Sequence, residues 1–222
     1  MGERHPSSPS AACVTWAITA GAKANSGPAI ILVHEWWGLN ADMRRMAERF
    51  AAEGFVAMLV DLYGGREATT GEEAMALSSE MKTANAMQII AGAVTYLHGR
   101  GSAKVGVTGF CLGGGMALAA ACTVPGIDAA VPFYGTPKEE FVKITKDLPP
   151  ILGHYAKNDA HVSFERVQGI QQKATEAGAH FELHGYDGGH AFMREADPKA
   201  YHEPSATLAW TRTLAFLRKN LV

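Results

Sequence analysis

Four side chains in this sequence have the types and placement for acyl-transfer chemistry: Cys111, Asp159, His190 and Glu35. Cys111 lies in Gly109-Phe110-Cys111-Leu112-Gly113, after the β-branched run Val105-Gly106-Val107-Thr108 and before a small-residue segment that runs to Ala121. This reads as strand, sharp turn and helix with a thiol at the apex, a nucleophile elbow carrying sulfur in place of oxygen. A turn so tight strains the nucleophile's dihedrals, and a Cβ two residues before or after it would collide with the neighbouring strand or helix. The start of a helix also attracts negative charge through its unpaired N–H groups and dipole. Each residue has a plainer reading when taken alone. A G-x-C-x-G can be a buried, inert cysteine in a glycine-rich turn, Asp159 a turn residue beside Asn158, and His190 one of nine histidines.

The elements that must position these groups alternate along the chain. Residues 1–11 are polar, with Pro6 and Pro9, and read as a flexible tail ahead of a single domain over 12–222. Cys13 to Thr19 alternates like a half-buried edge strand. Ala29 to Val33 is a continuous apolar run ending at His34-Glu35, as expected of a strand buried on both faces. From Asn40, Met43, Met46, Ala47 and Phe50 follow helical spacing, and Gly54 closes the helix. Further strands are expected at Phe55–Leu62, the elbow strand, Asp128–Tyr134, Ile151–Tyr155 and His180–His184. Helices are expected over Glu72–His98 with a break near Thr83–Asn85, after the elbow to about Cys122, and over Phe164–Ala177 and Glu203–Leu221. Alternation of this kind predicts an α/β fold, a mostly parallel central sheet with helices on both faces.

Reactive groups in such sheets sit beyond the C-terminal ends of strands. Cys111, Asp159, His190 and Glu35 all fall there, and the order nucleophile, acid, histidine is that of the α/β-hydrolase triad. In that chemistry His190 takes the thiol proton, Asp159 fixes the imidazole tautomer, and the thiolate attacks a carbonyl. Asp61 also ends a strand, but it precedes the elbow and breaks the order. His34-Glu35-Trp36-Trp37-Gly38 lacks the second histidine of H-E-x-x-H and no other pair has ligand spacing, so no metal is expected. Gly113-Gly114-Gly115 follows the nucleophile without an acidic partner about 20 residues on, which argues against a dinucleotide fingerprint.

Composition narrows the rest. The net charge of −2, with no basic block, gives no electrostatic footprint for nucleic acid or an anionic membrane. The most apolar run meets His34 and Glu35 long before the roughly 18 residues a membrane span requires. Three cysteines at unrelated spacings, Cys13, Cys111 and Cys122, fit a reduced, cytoplasmic setting.

The segments His34-Glu35-Trp36-Trp37-Gly38-Leu39-Asn40, Asp61-Leu62-Tyr63-Gly64, Gly109-Phe110-Cys111-Leu112-Gly113-Gly114, Asn158-Asp159 and Gly189-His190-Ala191-Phe192 together resemble the dienelactone hydrolase family, the carboxymethylenebutenolidases, from about Ala29 to Leu221. The resemblance implies a triad of Cys111, Asp159 and His190, with the oxyanion held by the backbone N–H groups of Leu112 and Trp36; the place of Trp36 and Trp37 beside the catalytic rim separately suggests that they line the pocket. It implies that Glu35 is an inner carboxylate meeting the thiol in the resting enzyme, which would keep the sulfur protonated and safe from oxidation until substrate arrives. The family grips a substrate carboxylate with two arginines. Arg194 matches one, while Lys82 is the only Lys or Arg from Glu67 to Gly99, and a lysine does not reproduce a guanidinium fork. The expected protein is a monomeric, cofactor-free hydrolase that opens a small carboxylate-bearing enol-lactone through an acyl-enzyme. A general carboxylesterase or thioesterase with the same triad is the alternative, and a cysteine redox sensor or binding protein on a hydrolase scaffold is the alternative from another class.

Overall fold

The computed structural model describes residues 27–222 and the strand at 15–20. The tail expected over 1–11 and Cys13 lie outside the described residues. Seven strands, β1 (Thr15–Ala20), β2 (Ala29–Val33), β3 (Val56–Asp61), β4 (Val105–Phe110), β5 (Ala129–Phe133), β6 (Ile151–Ala156) and β7 (Phe181–Tyr186), form one sheet in the order β1-β3-β2-β4-β5-β6-β7. All neighbours are parallel except β1, which runs antiparallel to β3 at the edge. Among the described residues six α-helices accompany the sheet: α1 (Ala41–Ala52), α2 (Gly71–Glu80), α3 (Thr83–Gly99), α4 (Leu112–Thr123), α5 (Phe164–Glu176) and α6 (Glu203–Leu221).

The unbroken apolar run of β2 follows from burial on both faces. Ala29, Ile31 and Val33 point into a core closed by Ile90 and Val94 of α3, Met116 and Leu118 of α4, and Val167 and Ile170 of α5. Ile30 and Leu32 point the other way, onto Met43 and Phe50 of α1 and Leu214 and Leu217 of α6. Each such side chain contributes about 1.5–3 kcal/mol by leaving water, so neither face tolerates a polar residue until the strand ends at His34. Asn40 caps α1 by accepting from the N–H groups of Asp42 and Met43 at 3.1 and 3.2 Å, and Gly54, at φ +93°, lets the chain leave that helix.

Within residues 27–222 most boundaries fall within a residue of expectation, and two shift further. The helical region after Gly71 breaks at Met81 and Lys82, ahead of Thr83, because Met81 adopts extended backbone (φ −71°, ψ 125°) with no glycine or proline to announce it. The last strand runs on through Gly185 to Tyr186, since Gly185 pairs with Tyr155 in the ladder. No helix among the described residues is long and apolar enough to cross a membrane.

Candidate active site

The C-terminal ends of β2, β4, β5, β6 and β7 converge on one cleft of about 430 Å3 lined by Glu35, Trp36, Cys111, Tyr134, His161 and His190. Cys111 stands between β4 and α4 at φ 54°, ψ −115°. Among the described residues the only other non-glycine positions with positive φ are Tyr134 (36°) and Ala191 (60°), and both line the same cleft. Strain of this kind persists only where the surroundings overdetermine it, and here it aims three side chains at one space.

The glycines around Cys111 are required by close approach. A Cβ on Gly109 would meet the Gly113 carbonyl oxygen at 2.2 Å, and one on Gly113 would meet the Val33 carbonyl oxygen at 2.2 Å. Helix propensity alone would make Gly113→Ala stabilising by about 1 kcal/mol. The clash with the immobile backbone of β2 reverses the sign, and we expect a net loss of roughly 2–3 kcal/mol in urea unfolding. Equal or greater stability of that variant would show that β2 yields readily.

His190 joins the other two groups. Its Nδ1–H donates to Asp159 Oδ2 at 2.8 Å, and its Nε2 lies 3.1 Å from Cys111 Sγ. The carboxylate can only accept, which assigns the proton on Nδ1 and leaves Nε2 to receive the thiol proton. Asp159 Oδ1 accepts the backbone N–H groups of His161 and Val162 at 2.7 and 3.0 Å. Burial would raise the Asp159 pKa, yet the hydrogen bonds from His190, His161 and Val162 outweigh it and hold the carboxyl below its ordinary range. Burial likewise works against the His190 cation, but the hydrogen bonds to Asp159 and Cys111 and their charges push its pKa up to about 10.

Glu35 is buried, and its place differs from the expected contact with the thiol. The thiol faces His190, whereas Glu35 accepts from the Tyr134 hydroxyl at 3.4 Å and lies 3.8 Å from Arg194 Nε. The tight β4–α4 turn directs the sulfur toward β7, and Tyr134, at the end of β5, reaches Glu35 in its stead. Burial raises the Glu35 pKa to about 7, against the pull of Arg194 and His190. Arg194 stacks over Trp37 at 4.6 Å and also faces Asp42 Oδ2 at 3.9 Å and Asp197 Oδ2 at 3.8 Å. Trp36 and Trp37 pack edge to face at 5.1 Å and, with Leu112, form a wall of the cleft.

Lys82 does not join this group. It lines a separate cavity of about 170 Å3 with Arg66 and Glu80, which form an ion pair at 2.8 Å. Asp61 is occupied in capping the turn after β3, accepting from the N–H groups of Tyr63 and Gly65. His34 accepts from the Leu62 N–H through Nε2 at 3.0 Å and bonds the Glu35 carbonyl through Nδ1, tying the ends of β2 and β3 together; burial lowers its pKa and keeps it neutral. Sequence reasoning missed Tyr134 and His161. Tyr134 follows β5 as the other site residues follow their strands, so the strand-end rule could have found it. The His161 ring packs on His190 at 4.7 Å, and its only signal was a position two residues after Asp159.

Known proteins resemble this chain over most of its length. The sequence model of the dienelactone hydrolase family matches residues 16–221. Protein usf of Aquifex pyrophilus is 34% identical over 206 residues, covering 88% of this chain and 89% of its own. A Bradyrhizobium protein, provisionally named a 2-oxo-3-(5-oxofuran-2-ylidene)propanoate lactonase, is 29% identical over 211 residues, covering 87% of this chain and 84% of its own. The crystal structure of a Klebsiella pneumoniae protein, provisionally assigned as a dienelactone hydrolase, superposes with a TM-score of 0.86 at 26% identity and covers 98% of each chain. On the matched family, the related sequences and the shared α/β-hydrolase architecture, the chain belongs to the dienelactone hydrolase family of hydrolases.

Proposed function

We propose that this protein hydrolyses a small carboxylate-bearing enol-lactone, of the kind that opens from dienelactone to maleylacetate, through a thioester on Cys111. The observation that carries the reading is one imidazole held 3.1 Å from a strained thiol and 2.8 Å from a carboxylate at the head of a cleft. Cys111 Sγ attacks the carbonyl carbon while His190 Nε2 takes its proton and passes it to the departing oxygen, leaving an acyl-thioester. His190 then removes a proton from water, the hydroxide attacks the thioester carbonyl, and the sulfur leaves. The raised His190 pKa favours the imidazolium that gives its proton to the departing oxygen, with Asp159 holding the ring. The N–H of Leu112, at the first position of α4 where no helical acceptor exists, and that of Trp36 are assigned to the oxyanion.

Arg194 is assigned to the substrate carboxylate, and the name of the Bradyrhizobium relative, a lactone bearing a carboxylate, is consistent with that choice. The alternative, a carboxylesterase or thioesterase for uncharged substrates, is favoured by a separate observation. Glu35, Asp42 and Asp197 lie within 3.8–3.9 Å of the Arg194 guanidinium and offset its charge, while Lys82 lines another cavity. The reaction as written calls on no cofactor or metal, and we assign the enzyme to the cytoplasm as a monomer acting on small molecules, without nucleic acid or membrane partners.

Ultraviolet assays of cis- and trans-dienelactone beside p-nitrophenyl acetate, with matched esters that differ only in a remote carboxylate, separate these readings. We expect dienelactone loss and a kcat/KM at least about tenfold higher for the charged ester, the effect of one partly screened ion pair. Equal values with rapid acetate release would move the substrate to neutral esters. Intact substrate throughout, with Cys111 oxidised by peroxide, would leave the sensor reading.

A further inference from the structure

Glu35 is a wall shared by two cavities. One is the cleft, and the other, beneath α1, has a volume of about 50 Å3 and is lined by Asp42, Met43, Met46 and Met193. Glu35, Tyr134 and Arg194 border both. The smaller cavity exceeds the roughly 10–15 Å3 that one water occupies. Its polar groups have the spacing of a water site. Arg194 Nε is buried and has no hydrogen-bond partner among the described residues. Two carboxylate oxygens face it, Glu35 Oε2 at 3.8 Å and Asp42 Oδ2 at 3.9 Å. Both separations are too long for a direct hydrogen bond and suit a bridging water, which would satisfy an N–H that is costly to leave bare when buried.

We propose that a water held by Arg194 Nε between Glu35 and Asp42 forms a rear proton exit, through which the proton produced by each turnover leaves Glu35 for solvent while the cleft is occupied. The inference rests on the hydrolytic reading above. Hydrolysis of an ester or lactone consumes one water and gives an alcohol or enol, a carboxylate and one proton. The nascent carboxylic acid loses its proton to the ionised Glu35, which faces the cleft. The water accepts that proton from Glu35 and the Arg194 Nε–H through its two lone pairs, and gives up one of its own protons to Asp42. Asp42, in the first turn of α1, has 25% of its side chain exposed and passes the proton to bulk water. The Glu35 pKa of about 7 suits a group that loads and unloads at neutral pH, and Asp42 is one of the charges raising it. Asp42 is thus a proton-conducting residue that does not touch substrate.

Asp42→Asn preserves the volume and the helix start while removing the carboxylate that takes up the proton. In dilute, bulky buffer we expect its kcat to fall roughly tenfold, less than the loss from removing a group that transfers a proton in the transition state. With the uncharged p-nitrophenyl acetate, KM and the acylation burst should be unchanged, and added imidazole should restore kcat in proportion to its concentration. An unchanged kcat, or a loss that imidazole does not restore, overturns the proposal. So does a high-resolution crystal structure of the wild type without a water in hydrogen-bonding reach of Arg194 Nε, a measurement independent of how the variant folds. Failure of the hydrolytic reading is distinguishable: wild type then shows no turnover, whereas failure of the exit alone leaves wild type and variant turning over alike.

Discussion

Replacing Cys111 by alanine is expected to lower ester turnover by roughly 10^5-fold, the scale on which enzymes respond to deletion of a covalent nucleophile. The loss follows from the position of the sulfur: it is the atom at the apex of the β4–α4 turn, 3.1 Å from the imidazole that takes its proton. The fold should survive. Alanine at φ 54° pays the backbone strain that cysteine already pays, and the removed sulfur is only partly buried against the core beneath α1 and α6. We expect a melting temperature within a few degrees of wild type, which corresponds to about 1 kcal/mol for a chain of this size. Rapid quenching with p-nitrophenyl acetate should leave an acetyl group on the wild-type peptide carrying Cys111 and none on the variant. Retention of most activity by Cys111→Ala would remove the nucleophile assignment, while a variant that melted far earlier would show the thiol acting as a packing group.

How far the sequence disclosed the site depended on whether a signal was local. Cys111 was legible because its strand, flanking glycines and helix are contiguous, and the same close approaches that explain the pattern appear at Gly109 and Gly113. Asp159 and His190 became legible once the strands before them were placed. The continuous apolar run of β2, buried on both faces, and the alternation of strands with helices made the parallel sheet predictable. What escaped was decided by tertiary approach. Nothing near Glu35 announces that Tyr134, 99 residues away, and Arg194 will be its partners in place of the thiol. Lys82 looked available because it is the only Lys or Arg between Glu67 and Gly99. The break at Met81, invisible in residue type, sends it to a different cavity.

Asp159→Asn should be nearly as damaging as loss of the thiol, for a reason the geometry makes specific. Asp159 Oδ1 is held by two backbone N–H groups at 2.7 and 3.0 Å, so an asparagine would keep its oxygen there and turn its NH2 toward His190 Nδ1. That donor requires a bare Nδ1, which places the imidazole proton on Nε2, facing the sulfur. In that tautomer His190 cannot receive the thiol proton, and kcat/KM is expected to fall roughly 10^3–10^4-fold with loss of the acyl-enzyme burst. The same change alters stability in a defined direction. The folded-state pKa of His190, about 10, lies above the ordinary histidine value of 6.5, so its contribution is full below about 6.5 and disappears as the pH rises through about 10. Without the Asp159 charge that pKa drops, so the melting-temperature deficit of the variant relative to wild type should be largest below about pH 6.5 and should shrink as the pH rises from 7 to 9. A fall in activity below about tenfold, with parallel pH–stability curves, would reduce Asp159 to a turn residue that caps the loop before α5.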